Sequence, residues 1–114
     1  MVNLRRDPQF GLVLTVASGG GMTEILQDAS TVLVPADDVS LQSSIDSLRI
    51  APLFNGFRGG QAASRTAVLD QIKSLVSLMK DTPDIVEIEI NPIMVGKDYA
   101  CCADALINIS STEA

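Results

Sequence analysis

Residues 85–109 read IVEIEINPIMVGKDYACCADALINI and hold the pattern that decides the fold. Apolar and acidic residues alternate over residues 85–90, which predicts a strand because successive side chains of a strand point to opposite faces. A second extended run covers residues 99–109. Gly96, Lys97 and Asp98 lie between the two runs and are typical of a hairpin turn. The chain is therefore expected to end in a β-hairpin.

A long amphipathic helix is predicted before this hairpin. Apolar residues recur at helical spacing from about Ser64 or Thr66 to Lys80, and the Asp-Thr-Pro sequence at residues 81–83 ends the pattern. A shorter helix is predicted to begin at Asp37 or Asp38, because either carboxylate can cap its first turn.

The first third of the chain is rich in short β-type segments. Strands are predicted at residues 2–6, 11–17, 22–26 and 31–35, with residues 27–30 as a turn. Strands followed by helices and a hairpin predict an α+β fold, with a mostly antiparallel sheet and helices packed on one face.

Composition limits the possible functions. The 114 residues are 46% hydrophobic and 19% charged, which is typical of one folded domain. A net charge of −6 argues against nucleic acid or an anionic membrane as a partner. No apolar run is long enough to span a bilayer, and no signal peptide pattern is present, so a cytoplasmic location is predicted.

Histidine is absent, which excludes a Ser-His-Asp triad and a histidine-ligated zinc in this chain. The two cysteines, Cys101 and Cys102, are neighbours whose side chains point to opposite faces of a strand. They are therefore predicted to be small core residues rather than a disulfide or a metal site.

The terminal hairpin also carries candidate chemistry. If Lys97 and Asp98 form its two-residue loop, Asn91 stands opposite Asp104, whereas a three-residue loop would shift this register. Opposed side chains share a face, and an amide oxygen with a carboxylate can hold a hard cation. Magnesium commonly takes one or two protein oxygens and its other ligands from phosphates and water.

Two interpretations of this segment stay open. Glu87 and Glu89 share a face with Asn91, and they can be the solvated face of an edge strand while Asn91 begins a turn before Pro92. Asp104 favours the metal site, because it interrupts an apolar run in which an unpaired carboxylate is costly.

Two loops are weaker candidates. The run Gly19-Gly20-Gly21 lets backbone N–H groups approach a phosphate, although no Lys-Ser or Lys-Thr follows it, and it can equally be a plain turn. Arg58 lies between glycines and can bind a phosphate or carboxylate bidentately, or it can simply be a solvated loop arginine.

Several short motifs occur in a particular order. They are RDPQFG at residues 6–11, Gly19-Gly20 followed by Glu24, GFRG at residues 56–59, EINP at residues 89–92, and Asp104-Ala105. In this order they resemble the ATP-grasp domain of ADP-forming acyl-CoA synthetases, relatives of succinyl-CoA synthetase. The resemblance covers nearly the whole chain. It implies that residues 1–114 are the second lobe, the carboxy-terminal half, of such a domain within a larger protein.

The resemblance implies a reaction in which a carboxylic acid, CoA and ATP give acyl-CoA, ADP and phosphate through an acyl phosphate and a phosphohistidine. The implied partners are the other ATP-grasp lobe and a CoA-binding domain with the phosphohistidine. Without them the chain is expected to be inactive and to bind ATP weakly.

The resemblance also assigns roles to residues. Asn91 and Asp104 match the family residues that hold Mg²⁺ (or Mn²⁺) on the ATP or ADP phosphates. Glu89 is a candidate for orienting the phosphohistidine imidazole, and Glu87 is a weaker one. The residues implied on the nucleotide side are Gly19, Gly20, Glu24 and Arg58.

The chain departs from the family at three positions. The family commonly has a larger apolar residue where Ser18 and Gly21 stand, and an aspartate where Glu89 stands. These departures concern the shape and reach of the loops around the phosphates. Two alternatives to an enzyme also stay open. One is a non-catalytic regulatory or interaction module of a fusion protein, and the other is a small binder of divalent cations.

Overall fold

The computed structural model describes residues 1–20 and 23–110, except for the side chains of Thr23, Glu24 and Phe57. The strands are β1 (Val2–Asp7), β2 (Gly11–Ala17), β3 (Ala29–Val34), β4 (Ile85–Ile90), β5 (Ile93–Val95), β6 (Ala100–Cys102) and β7 (Ala105–Ile109). The helices are α1 (Thr23–Leu26), α2 (Asp38–Asp46) and α3 (Arg65–Asp81), and short 3₁₀ segments cover Ala51–Asn55 and Phe57–Gly59.

Five strands form one antiparallel sheet in the order β3-β2-β1-β4-β7, and β5 pairs with β6 in a separate two-stranded sheet. Alternate residues of the large sheet face helices α2 and α3. The buried side chains that meet between these layers include Leu4, Leu14, Ile45, Ile72, Met79 and Ile88. The predicted α+β fold, with an antiparallel sheet and helices on one face, is confirmed.

Both predicted helix starts are capped as expected. The Asp37 carboxylate accepts a hydrogen bond from the Ser40 N–H at 2.8 Å, and the Ser64 hydroxyl accepts one from the Ala67 N–H at 3.1 Å. Each cap satisfies a backbone donor that has no partner within the helix.

Arg6 holds the end of α3 against the sheet. Its Nε donates to the Ile85 carbonyl at 2.7 Å, and its Nη2 donates to the carbonyls of Met79 and Thr82. The Met79 and Thr82 carbonyls lie at the end of α3, where carbonyls lack donors within the helix. The guanidinium supplies these donors, and its positive charge complements the helix dipole.

Three sequence expectations were wrong. Thr23–Leu26 is a helical turn rather than part of a strand, because periodicity cannot distinguish the two in so short a segment, and residue 22 lies outside the described residues. The extended run at 99–109 is divided into β6 and β7. Cys101 and Cys102 are exposed free thiols and not core residues, because the two-stranded sheet leaves them uncovered.

Within residues 1–20 and 23–110, no helix combines the length and the apolar character that crossing a membrane requires.

Candidate functional site

The terminal hairpin has the predicted register. The Gly96 N–H donates to the Tyr99 carbonyl at 2.9 Å, which leaves Lys97 and Asp98 as a two-residue loop. The same register holds on both sides of an interruption at residues 91–92 and 103–104. The pairs that flank this interruption are Ile93 with Cys102 and Ile90 with Ala105.

Asn91 and Asp104 lie opposite each other in this interruption. The Asn91 N–H donates to the Asp104 carbonyl at 3.1 Å, and the Ala103 N–H donates to the Pro92 carbonyl at the same distance. Side chains of directly opposed residues in an antiparallel pair project from the same face. The predicted opposition is confirmed, while the metal-binding role of the two residues stays a prediction.

The glycine loop after β2 lies directly over Asn91. The Gly20 N–H donates to the Asn91 Oδ1 at 2.9 Å. A Cβ built on Gly19 would lie 3.2 Å from this oxygen and 3.0 Å from the Met1 nitrogen, so no larger residue fits without displacement. Gly20 has a φ of +85°, which favours glycine. The amide oxygen keeps a second lone pair for another ligand.

Asp104 is exposed, which corrects the sequence argument for its role. The apolar run around Asp104 was expected to make an unpaired carboxylate costly, but residues 101–107, in the short strand β6 and the edge strand β7, are exposed. Exposure makes the carboxylate accessible to a ligand that arrives from solution.

Glu87 and Glu89 differ in their partners. Glu87 accepts hydrogen bonds from the Asn3 Nδ2 at its Oε2 and from the Asn108 Nδ2 at its Oε1, both at 2.9 Å. Glu89 is half-buried and lies near the Met1 amino group. Burial lowers the pKa of that amino group, and the negative charge of Glu89 acts in the opposite direction. The Glu89 carboxyl group therefore lies beside the amino terminus, two residues before Asn91.

Arg58, another predicted nucleotide-side residue, lies in the short 3₁₀ segment Phe57–Gly59. Arg58 has a left-handed backbone with a φ of +53° and is exposed. Its loop is bridged by a hydrogen bond from the Ala63 N–H to the Phe54 carbonyl, and Phe54 lines the same apolar cleft as Gly19. The Glu24 side chain lies outside the described part of the structure, and so does Gly21.

Asp28 supports the glycine loop, although sequence reasoning treated it as an ordinary turn residue. Its carbonyl accepts from the Ser18 N–H at 3.0 Å, and its buried carboxylate accepts from the N–H groups of Arg49 and Ile50. A single Asp between two apolar runs carries no signal that separates this role from a turn.

The donor set at the interruption suits magnesium that is shared with a ligand. In the described ranges no group of three or more Asp, Glu, Cys or His residues could enclose a metal ion. One amide oxygen and one carboxylate supply part of an octahedral shell, and phosphates and water complete it in such sites. The residues present therefore fit a nucleotide-bound Mg²⁺.

Comparison with known proteins identifies the family. A model of the ATP-grasp domain matches residues 1–109. The chain belongs to the ATP-grasp family. Over 105 residues this ATP-grasp chain is 34% identical to the beta subunit of acetate–CoA ligase [ADP-forming] I from Pyrococcus furiosus, with 92% of the chain and 45% of that relative covered. It is 32% identical over 95 residues to trans-feruloyl-CoA synthase FCS1 from an unknown prokaryotic organism, covering 83% of the chain and 13% of the relative.

A solved structure has the same fold. The dinucleotide-forming acetyl-coenzyme A synthetase 1 of Ca. Korarchaeum cryptofilum, in complex with coenzyme A and Mg-AMPPCP, superposes with a TM-score of 0.90 at 27% identity. The match covers 96% of the ATP-grasp chain and 51% of that protein chain. The chain thus spans about half or less of the length of these relatives.

Proposed function

We propose that the chain is the second lobe of an ATP-grasp domain and contributes the metal and nucleotide site of an ADP-forming acyl-CoA synthetase. The observation that carries this proposal is the opposition of Asn91 and Asp104, with the Gly20 N–H on the Asn91 oxygen. Similarity to ADP-forming ligases over more than nine-tenths of the chain supports it.

The proposed reaction joins a carboxylic acid to CoA with conversion of ATP to ADP and phosphate. The proposed partners are the other ATP-grasp lobe and a CoA-binding domain that carries a phosphohistidine, because this chain contains no histidine. A cytoplasmic location belongs to the same proposal.

In this function Asn91 and Asp104 would hold Mg²⁺ or Mn²⁺. Such an ion would supply charge neutralisation on the phosphates and help to position the transferred phosphoryl group, which is most of what phosphoryl transfer requires. The glycine loop keeps the Asn91 amide in one orientation, since Gly20 donates to its oxygen. Glu89 supplies a negative charge beside the site that can orient an approaching imidazolium. Arg58, Gly19 and Glu24 are proposed to contact the nucleotide.

The test uses the protein that contains this chain and measures ADP formation that depends on both a carboxylic acid and CoA. Asn91→Ala and Asp104→Asn are each expected to lower kcat about 100-fold or more, because electrostatic stabilisation of phosphoryl transfer is lost. Asp38→Asn changes a remote exposed carboxylate and serves as the matched control, with activity retained. Retained activity in both site variants, with normal folding, would contradict the proposal.

The alternative is a regulatory or interaction module that keeps the fold without catalysis. The observation in its favour is that the family's larger apolar residue is replaced by Ser18, whose buried hydroxyl has no hydrogen-bond partner among the residues that the structure describes. This alternative predicts that Asn91→Ala and Asp104→Asn leave acyl-CoA formation unchanged.

A further inference from the structure

The edge strand β7 lacks the usual determinant of its register. All five of its side chains are exposed, and Leu106, Ile107 and Ile109 are 57%, 46% and 65% accessible. Register is strongly specified where one face of a strand is buried, and weakly specified where neither face is. Burial therefore does not fix the pairing of β7 with β4.

The register matters because Asp104 immediately precedes β7 and Asn91 immediately follows β4. A slip of one residue would turn Asp104 to the other face of the sheet, and a slip of two would move it away from Asn91. The two-residue turn at the far end of the hairpin fixes β5 against β6. Between this turn and β7 lies the interruption at residues 91–92 and 103–104, where neither ladder continues.

The other end of the β4–β7 ladder is irregular as well. Its register shifts between Ile85 and Glu87, so Val86 lacks a partner on β7. Glu87 is the first residue after this shift, and its backbone partner is Asn108. Continuous pairing up to the metal site thus starts at Glu87.

Side-chain hydrogen bonds at Glu87 connect the three strands β1, β4 and β7. The Glu87 carboxylate accepts from Asn3 on β1 and from Asn108 on β7, each at 2.9 Å. Hydrogen bonds to a charged acceptor are roughly twice as strong as neutral ones. Arg5 stands opposite Glu87 on β1, but its guanidinium donates to Asp7, which leaves the carboxylate to the two amides.

We propose that Glu87 is a positioning residue, which locks the register of β7 through Asn108 and so keeps Asp104 opposite Asn91. Asn3 acts in the same unit by orienting the carboxylate towards β7. The Glu87 carboxylate serves here as a hydrogen-bond acceptor for Asn3 and Asn108. The effect of Glu87 on function rests on the proposed metal site. Its effect on the register of β7 depends only on the strands.

The experiment measures the register and the metal affinity of the chain separately. Cross-strand NOEs between backbone protons of residues 89 and 106 and hydrogen exchange of the Asn91 amide report the register. Line broadening during a titration with Mn²⁺ reports binding of the ion. The variants are Glu87→Ala, Glu87→Gln and Asn108→Ala. Leu106→Ala is the matched control on the same face of β7, because it removes an exposed side chain that makes no side-chain hydrogen bond.

Glu87→Ala and Asn108→Ala are expected to weaken the cross-strand NOEs and to speed Asn91 exchange about tenfold, the equivalent of one charge-assisted hydrogen bond. Mn²⁺ affinity is expected to fall about tenfold, as on loss of a residue that orients a metal ligand. Glu87→Gln is expected to fall between the parent chain and Glu87→Ala, since a flipped Asn108 amide can accept from the new Gln amide but a neutral hydrogen bond is weaker than a charge-assisted one. Leu106→Ala should change neither readout.

Unchanged NOEs and exchange in both alanine variants would overturn the proposal. It would also be overturned if Glu87→Gln behaved like Glu87→Ala, because the charge rather than the hydrogen bonds would then matter. Failure of the metal site is recognised separately, as Mn²⁺ broadening that does not respond to Asp104→Asn. Asn108→Ala lies at an exposed edge, so it keeps the test valid if Glu87→Ala unfolds.

Discussion

At the residue scale, Gly19 is the position where the backbone approaches the site most closely. We expect Gly19→Ala to weaken Mn²⁺ binding about tenfold, because the added methyl group displaces the Asn91 amide that orients the cation. Isothermal titration calorimetry of the folded variant measures this. Gly11→Ala is the control, since Gly11 has a φ of +80° with open space around it and lies at the opposite end of β2. It should lose stability through backbone strain while its Mn²⁺ affinity is retained.

A second prediction at this scale concerns Asp28. Asp28→Ala removes a buried carboxylate that accepts hydrogen bonds from the N–H groups of Arg49 and Ile50, and it should lower the free energy of unfolding by about 1–3 kcal/mol. Urea denaturation followed by circular dichroism measures the loss. Asp38→Ala removes a carboxylate from an exposed ion pair with Lys73 and should have little effect. Equal losses in the two variants would show that the Asp28 contacts do not stabilise the fold.

At the element scale, the connection between α3 and the sheet depends on Arg6. Arg6→Ala is expected to lower the free energy of unfolding by about 1.5–3 kcal/mol, because its guanidinium donates to three carbonyls at the end of α3 and the start of β4. Arg6→Lys should recover only part of this, since an ammonium group lacks the planar fork of donors. Arg5→Ala is the matched control on the same strand, with an exposed ion pair only. The same urea titration serves for all three variants.

The cap of α2 gives a pH prediction. Hydrogen bonding from Ser40 holds the pKa of Asp37 below its ordinary value of 3.8. The cap therefore stabilises the fold above that pH, and this contribution is lost as the pH falls through the lowered pKa. Asp37→Asn keeps the cap acceptor without a titrating group, so its stability between pH 5 and pH 2 should fall less steeply than that of the parent chain. An identical pH profile for the two proteins in thermal unfolding would contradict this.

Elements with strong local signals were predictable from the sequence. Helix α3 has an apolar stripe and a Ser64 cap, and the terminal hairpin has a two-residue turn from which counting along both strands predicts Asn91 opposite Asp104. Features that depend on tertiary contacts were not predictable. Asp28 and Arg6 act on backbone groups far away in sequence, and no periodicity reports such partners.

At the scale of the whole molecule, one face of the five-stranded sheet carries the helices and the other carries the polar residues of the site. The apolar face is buried under α2 and α3. The opposite face presents Glu87, Glu89 and Asn3, with Asn91 and Asp104 where β4 ends and β7 begins. This division leaves a polar surface on the side where the other ATP-grasp lobe and the nucleotide are proposed to bind.

The central claim is that Asn91 and Asp104 together supply two oxygen ligands to one divalent cation. Paramagnetic broadening of the ¹⁵N-labelled chain by substoichiometric Mn²⁺ tests it most directly. We predict that the strongest broadening is centred on the amides of Asn91, Asp104 and Gly20, and that it is lost in Asp104→Asn but kept in Asp38→Asn. Broadening centred on other carboxylates, or unchanged in Asp104→Asn, would contradict the claim.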